Sequence, residues 1–157
     1  MEFLTKQFVY TEYTPTIRIK YHADIDPLER SLFGSAIDVR AAEDVEIKHM
    51  TAKKVPLGFS CQLPLGYLAV LSPRSSLFKN HGVIQTNGIG IIDSSFCGEN
   101  DIWQMELFAL REDTVIKKNE RIGQFILVDE MPIDMNLIPV DHLENEDRGG
   151  YGSSGRF

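Results

Sequence analysis

Residues 87–99 read NGIGIIDSSFCGE, and this stretch gives the strongest indication of the fold and of a functional site. Asn87-Gly88 is typical of a tight turn between strands. Gly90, in the apolar run that follows, lets another group approach the backbone closely. Asp93 comes directly after that run and precedes small polar residues. The stretch therefore predicts a β-strand that begins at a turn and ends at a carboxylate.

The rest of the chain shows the same short, β-like pattern. Alternating or apolar runs between turn signals predict strands at 16–20, 44–48, 67–71, 89–92, 103–110 and 121–128. Many short strands at this spacing favour an all-β sandwich or barrel. Helix signals occur only at residues 26–30 and 75–81, so we expect little helix.

Composition sets limits on the class of protein. The 157 residues suffice for one domain, and the net charge of −7 argues against a general nucleic-acid-binding surface. The N-terminus does not resemble a signal peptide, and no apolar run approaches the roughly 20 residues of a membrane span. Cys61 and Cys97 do not make a disulfide framework, so we expect a soluble protein of the reducing cytoplasm.

The C-terminal residues 148–157 read RGGYGSSGRF and differ in composition from everything before them. Ordering a glycine-rich segment costs about 1–2 kcal/mol per residue, and this one has little to bury in return. We therefore expect a β-domain at 1–143 and a flexible arm at 144–157. An aromatic ring can stack on a base, while arginine, serine and glycine N–H groups suit phosphate, so the arm reads as a nucleotide lid.

Three further internal segments carry polar side chains beside strands or turns. Asp38 lies between apolar neighbours in 34–40, Arg74 follows a proline in 72–78, and Gln124 interrupts the apolar run 121–128. Taken singly, each has an ordinary interpretation: an exposed strand residue, a solvated turn and a solvent-facing glutamine. Asp93 could likewise be a residue that caps a turn, which is the commoner use of an aspartate there.

Taken together, the order and spacing of these segments are more specific. The segments around 34–40, 72–78, 87–99, 120–127 and 148–157 resemble the five ordered motifs of the trimeric dUTP pyrophosphatase (dUTPase) family. The resemblance implies an all-β fold, a distorted β-barrel or jelly-roll with at most one short helix. It also implies a homotrimer with active sites shared between chains. The enzyme would act on dUTP with Mg²⁺ as its cofactor, and it would bind neither nucleic acid stably nor membranes.

The resemblance assigns the phosphate and metal contacts to the first, second and fourth motifs. Asp38 would hold hydrated Mg²⁺ through water. Arg74 and Ser75 would bind the triphosphate, with Ser76 beside them. Gln124 would add a further phosphate contact.

It assigns base recognition and catalysis to the third motif. Asn87 and the adjoining backbone would read the uracil edge, with Gly90 and Ile92 in the same pocket. Asp93 would activate the water that attacks the α-phosphorus, giving dUMP and pyrophosphate. Phe96 stands where the family usually has tyrosine and would pack on the deoxyribose.

It assigns closure of the site to the fifth motif. Tyr151, in place of the usual phenylalanine, would stack over uracil. Arg148, Gly152, Ser153 and Ser154 would close over the phosphates. The spacing between Arg148 and Tyr151 is shorter than is usual for the family.

Two other functions fit parts of this pattern. A dCTP deaminase shares the fold and needs a catalytic glutamate shortly after the third motif, for which Glu106 is the candidate. A non-catalytic nucleotide-binding regulatory β-domain would keep the site without turnover. The glycine-rich aromatic arm favours the pyrophosphatase over the first, and the intact Asp93 over the second.

Overall fold

A computed structural model describes residues 14–30, 34–131 and 135–143. In these ranges the chain forms eleven short strands and one helix. In chain order they are β1 (Arg18–Tyr21), β2 (Ile37–Arg40), β3 (Val45–Ile47), β4 (Ala52–Pro56), β5 (Phe59–Gln62), β6 (Tyr67–Pro73), α1 (Leu77–His81), β7 (Val83–Gln85), β8 (Gly90–Ile92), β9 (Gln104–Ala109), β10 (Thr114–Ile116) and β11 (Arg121–Asp129). The expected all-β fold with at most one short helix is confirmed for the part of the chain that the structure describes.

The strands form four small sheets around one apolar core. A four-stranded sheet has the order β2-β11-β6-β8, and a three-stranded sheet has the order β4-β9-β7. The pairs β1-β5 and β10-β3 form the two smaller sheets, and all the pairings are antiparallel.

Trp103 lies at the centre of the core. Its ring centroid is 5.1 Å from that of Phe59 and 5.1 Å from that of Phe125. Burial of a large apolar side chain contributes about 1.5–3 kcal/mol, so this aromatic cluster holds the loop before β9 against two of the sheets. The alternation of buried and exposed residues along β9, with Met105 and Leu107 inward, has the two-residue period of a strand.

Strand β11 contains an irregularity that later determines the site. Its pairing with β2 shifts between Arg121 and Gly123. Ile122 and Gly123 are consecutive and both buried, whereas a regular strand would turn one of them outward. The extra residue leaves Arg121 and Gln124 on the same, outer face of the sheet.

The helix expected at residues 26–30 does not form. The segment is extended, and Arg30 makes a β-bridge to Ile37. Its backbone donors bind distant side chains instead of helical carbonyls: Asp26 N–H donates to Asn119 Oδ1 at 2.9 Å, and Leu28 N–H donates to Tyr21 Oη at 2.8 Å. Tertiary hydrogen bonds therefore override the local helix signal.

The second helix signal is confirmed as α1, which ends at Gly82. Gly82 has φ 64° and donates its N–H to the Phe78 carbonyl at 2.8 Å, a left-handed cap that favours glycine. None of the helices in the described ranges is long and apolar enough to cross a membrane.

Both cysteines are free thiols. Cys61 is buried on β5, and burial raises the pKa of its thiol to about 12. Cys97 is exposed after β8.

Candidate active site

One candidate half-site lies on the outer face of the four-stranded sheet. Asp38 on β2 pairs with Gln124 on β11, and Gln124 pairs in turn with Ser72 on β6. Because paired residues point to the same face of a sheet, these three side chains form one polar row across three strands. The row ends beside Arg74, which follows β6 directly.

Asp38 is the hub of this row. Its Oδ1 lies 3.2 Å from Arg74 Nε, and its Oδ2 lies 3.2 Å from Arg121 Nη1. Arg74 is held from its own backbone as well, since its N–H donates to the Ile122 carbonyl at 3.1 Å. One carboxylate therefore orients two guanidinium groups that remain partly exposed to solvent.

These residues line an open cleft of about 880 Å³. Its walls carry four arginines (Arg30, Arg40, Arg74, Arg121) against three carboxylates (Asp26, Glu29, Asp38), a balance of 4 − 3 = +1 in a chain whose net charge is −7. Arginine donors in a fixed fork suit phosphate oxygens. We expect the cleft to attract a phosphorylated anion although the protein is acidic as a whole.

The two serines predicted beside Arg74 begin the helical segment. Ser76 precedes α1, and its carbonyl accepts a hydrogen bond from Asn80 N–H at 2.9 Å. The Ser76 side chain makes no capping hydrogen bond, and Ser75 is exposed. Neither serine is among the lining residues of the cleft, although both follow Arg74 directly.

A second, smaller pocket of about 330 Å³ lies at the opposite edge of the same sheet, against β7 and β9. The third-motif residues Asn87, Gly90, Ile92 and Phe96 all line it. Phe96 is exposed, so one face of its ring is available for stacking. Glu106, the candidate for the deaminase alternative, also lines this pocket, where its carboxylate accepts the Thr86 hydroxyl at 2.9 Å.

Asp93 follows β8 directly, between Ile92 and Phe96, but is not itself among the residues that line this pocket. The Ser95 hydroxyl donates to Asp93 Oδ1, and Ser95 N–H donates to the same oxygen at 2.8 Å. These two hydrogen bonds, the hydroxyl first, lower the pKa of Asp93 below its usual value. The carboxylate is therefore ionised at neutral pH and held in one orientation.

The cleft and the pocket share no lining residue. The row of Asp38, Gln124 and Ser72 points outward. Gly90 pairs with Leu71, which is buried on the inner face. Of the predicted residues, a single chain thus brings Asp38, Arg74 and Gln124 together in the cleft and Asn87, Gly90, Ile92 and Phe96 together in the pocket, and it keeps the two sets apart.

The predicted residues of the arm, Arg148, Tyr151, Gly152, Ser153 and Ser154, lie outside the described residues. The boundary expected at 143 and 144 likewise stays a prediction.

Sequence reasoning missed two side chains that the structure adds. Arg121 reaches Asp38 only because of the bulge in β11, which no local pattern announces. Ser95 was noted merely as small and polar. The spacing of Asp93 and Ser95 could have indicated the hydrogen bond between them, because aspartate side chains often accept hydrogen bonds from groups two residues further on.

The inner part of the pocket keeps two buried polar atoms without a hydrogen-bond partner in the described residues, Gln85 Oε1 and Trp103 Nε1. Both residues line the pocket. Leaving such a group unpaired costs roughly 1–3 kcal/mol. An unpaired acceptor and an unpaired donor at one pocket are more typical of a binding site than of a folding core.

Comparison with known proteins shows which family the chain belongs to. Residues 23–155 match the family model described as dUTPase. The chain belongs to the dUTPase family. It is 52% identical over 143 residues to the SPbeta prophage-derived deoxyuridine 5'-triphosphate nucleotidohydrolase YosS of Bacillus subtilis, a match that covers 88% of this chain and 97% of that protein. The deoxyuridine 5'-triphosphate nucleotidohydrolase of Candida glabrata is 32% identical over 142 residues, covering 89% and 95% of the two chains.

Solved structures of dUTPases share the fold. A variant of the Staphylococcus bacteriophage 80alpha dUTPase with dUpNHpp matches with a TM-score of 0.77 at 19% identity, covering 91% of this chain and 100% of that one. The dUTPase of Streptococcus mutans matches with a TM-score of 0.67 at 21% identity, covering 74% and 98%. The resemblance noted from the five motifs is confirmed.

Proposed function

We propose that the protein hydrolyses dUTP to dUMP and pyrophosphate at a site made by the cleft of one chain and the pocket of another. The observation that carries the proposal is the division of the site. In one chain of the dUTPase family, a guanidinium-lined cleft and a pocket lined by the third-motif residues share no lining residue. The relatives that the chain matches over nearly their whole length are named as deoxyuridine 5'-triphosphate nucleotidohydrolases, which supports dUTP as the substrate.

In the proposed complex the triphosphate occupies the cleft. Arg74 and Arg121 are already oriented by Asp38, so they bind phosphate oxygens with little loss of side-chain freedom. Gln124, in register with Asp38, adds an amide donor to the same row. Ser75 and Ser76 follow Arg74 directly, where their hydroxyls suit a phosphate that extends past the cleft.

The donors present fit Mg²⁺ only in the company of the substrate. The described residues contain no cluster of three or more metal ligands, and Asp38 is the carboxylate in the polar row. Mg²⁺ is usually bound through one or two carboxylates, several waters and the substrate's phosphates. Asp38 can supply the one carboxylate that such a site needs. When bound, the ion would neutralise charge on the phosphate oxygens, and Asp38 would hold it through water.

Asp93 is the proposed base. It accepts a hydrogen bond from a water and orients it toward the α-phosphorus, in line with the oxygen that bridges to the β-phosphate. As the new P–O bond forms, the bridging bond breaks, pyrophosphate leaves with its electron pair, and Asp93 takes the water's proton. Because the pKa of Asp93 is lowered, positioning of the water contributes more than basicity does.

The pocket is the proposed uracil and deoxyribose site. The Phe96 ring can pack on the sugar and leave no room for a 2′-hydroxyl. Gly90 lines the pocket, and a base held against its backbone would leave little space for the methyl group that distinguishes thymine. Asn87 provides the polar contact to the base edge.

Assembly is the step that would join cleft and pocket. Ile126, Val70 and Ile91 are in register across β11, β6 and β8 and form an apolar row on the outer face, parallel to the polar row. Ile126 and Ile91 are exposed in the single chain. A second copy that covers this row could bring its pocket to the neighbouring cleft, and a closed ring of three gives three equivalent sites. The 148–157 arm would close over them.

The test measures pyrophosphate release from dUTP, dCTP, dTTP, dATP, dGTP and UTP with Mg²⁺, alongside ammonia release from dCTP. We expect turnover of dUTP alone, and its loss in Arg74→Ala. The matched control Arg18→Ala removes a guanidinium that lies outside the cleft and hydrogen-bonds to Gln62, and this variant should stay active. Ammonia from dCTP would instead support the deaminase, and unchanged dUTP would support a binding domain without turnover.

A further inference from the structure

Gln85 is a buried polar residue of the pocket for which the mechanism above has no role. It ends β7, where it pairs with Leu107 of β9, and its exposed fraction is only 6%. Its Nε2 donates to Asn87 Oδ1 at 2.9 Å. Its Oε1 has no partner in the described residues.

The hydrogen bond determines which way the Asn87 amide faces. Because Asn87 Oδ1 accepts from Gln85, the Asn87 NH₂ group is left to face the pocket. A uracil edge presents carbonyl oxygens, which accept from an NH₂ group. The corresponding edge of cytosine carries an amino group at C4, and two donors cannot pair.

We propose that Gln85 is a positioning residue that fixes the Asn87 amide with its NH₂ group toward the base, and so favours uracil over cytosine. The inference rests on the proposed function, because it assigns Asn87 to the base. Beyond that function, Gln85 is the side chain that makes Asn87 a hydrogen-bond donor toward the base.

The turn itself does not need the Gln85 side chain. Gly88 N–H donates to the Gln85 carbonyl at 3.1 Å, and Thr86 N–H donates to the Glu106 carbonyl at 3.0 Å. These backbone bonds hold residues 85–88 whatever side chain stands at position 85. A fold that needed only to fill this space would be served by an apolar side chain, since Oε1 is buried without a partner.

The neighbourhood of Gly90 places Gln85 at the inner wall of the pocket. A Cβ at Gly90 would lie 3.8 Å from Gln85 Nε2 and 3.4 Å from Leu71 Cβ. Gln85 therefore lies against β8 at the inner wall of the pocket, where its Nε2 holds the Asn87 amide.

The test replaces Gln85 by methionine, which has the same length but neither donates nor accepts strongly. In Gln85→Met we expect kcat/KM for dUTP to fall about 3- to 10-fold, chiefly through KM, the size of effect that one net hydrogen bond produces. Discrimination between dUTP and dCTP should fall by a similar factor, while the melting temperature stays the same or rises. Gln62→Met, at an exposed position on β5, is the matched control and should change none of these.

A double-mutant cycle separates positioning from packing. If Gln85 acts through Asn87, adding Gln85→Met to Asn87→Ala should change discrimination by less than twofold. Additive losses, or a Gln85→Met protein with lower thermal stability and unchanged discrimination, would overturn the proposal.

Binding measurements keep the inference distinct from the proposed function. The affinities of the intact protein and of Gln85→Met for dUpNHpp and for the corresponding imido analogue of dCTP can be compared without turnover. An intact protein that binds both analogues but does not hydrolyse dUTP rejects the proposed function alone. A ratio of affinities that Gln85→Met leaves unchanged rejects the role of Gln85 alone.

Discussion

Gly90→Ala should separate binding from folding more cleanly than any other single change in the pocket. The added methyl group would meet Leu71 Cβ at 3.4 Å, Leu71 Cδ2 at 3.7 Å and Gln85 Nε2 at 3.8 Å. These are ordinary van der Waals distances. Replacing a strand glycine by alanine also recovers about 0.5–1 kcal/mol of backbone entropy, so the free energy of unfolding should be unchanged or higher.

The same methyl group should nevertheless impair the enzyme. It would project among residues that line a pocket of about 330 Å³, in which the base is proposed to lie. One methylene in excess of what a close-fitting site accepts costs about 1–3 kcal/mol, so kcat/KM for dUTP should fall about 10- to 200-fold. Steady-state pyrophosphate release and thermal melting of the same preparation measure both effects.

Gly123→Ala provides the contrasting case for stability, because there the free energy of unfolding should fall. A Cβ there would lie 2.5 Å from Met105 Sδ, 3.0 Å from the Ser72 carbonyl and 3.0 Å from Val39 Cγ2. Such overpacking costs about 1–3 kcal/mol, which corresponds to a fall of roughly 2–12 °C in melting temperature for a domain of this size. If Gly90→Ala melts lower than the unaltered protein, or keeps its kcat/KM for dUTP, the pocket does not hold the base as reasoned.

Two further predictions concern titratable groups. Ser95→Ala removes the hydroxyl that contributes most to the lowered pKa of Asp93. That pKa should therefore rise, and the acid limb of the kcat/KM profile should move to higher pH. If the acid limb does not move, Asp93 is not the general base. Iodoacetamide at pH 8 should modify exposed Cys97 and spare Cys61, whose pKa of about 12 leaves almost no thiolate, until the protein is unfolded. Mass spectrometry of the peptides distinguishes the two, and rapid labelling of Cys61 in the folded protein would contradict its burial.

Local pattern was sufficient for the strongest elements of the fold. The runs at 67–71 and 121–128 became β6 and β11, because strand periodicity and bordering turns are encoded in adjacent residues. The weak helix signal at 26–30 produces no helix, because N–H groups of this segment bind Asn119 and Tyr21, far away along the chain or across a turn. Non-local hydrogen bonds of this kind leave no trace in a short window of sequence.

The candidate site was predictable as a set of residues but not as a geometry. Asp38, Arg74 and Gln124 could be named from their motifs, yet their meeting in one row depends on the pairing register of three strands. Arg121 joins them only through the bulge in β11. The separation of this row from the pocket behind Gly90 follows from the two faces of a sheet, which local sequence does not relate to each other.

The division of the site between chains can be tested by mixing two inactive variants. Arg74→Ala disables the cleft and Asp93→Asn disables the pocket, and each variant alone should show almost no dUTP hydrolysis. Equal amounts are unfolded together, refolded and assayed for pyrophosphate release from dUTP. In a ring where each cleft faces the pocket of the next chain, random mixing should make about one quarter of the sites wild type at both positions.

Recovery of about a quarter of the wild-type activity, only after co-refolding, is the result that the shared-site account predicts. Mixing the folded variants without subunit exchange is the control and should recover nothing. A co-refolded mixture as inactive as its separate components would contradict the account, because it would mean that cleft and pocket act within one chain.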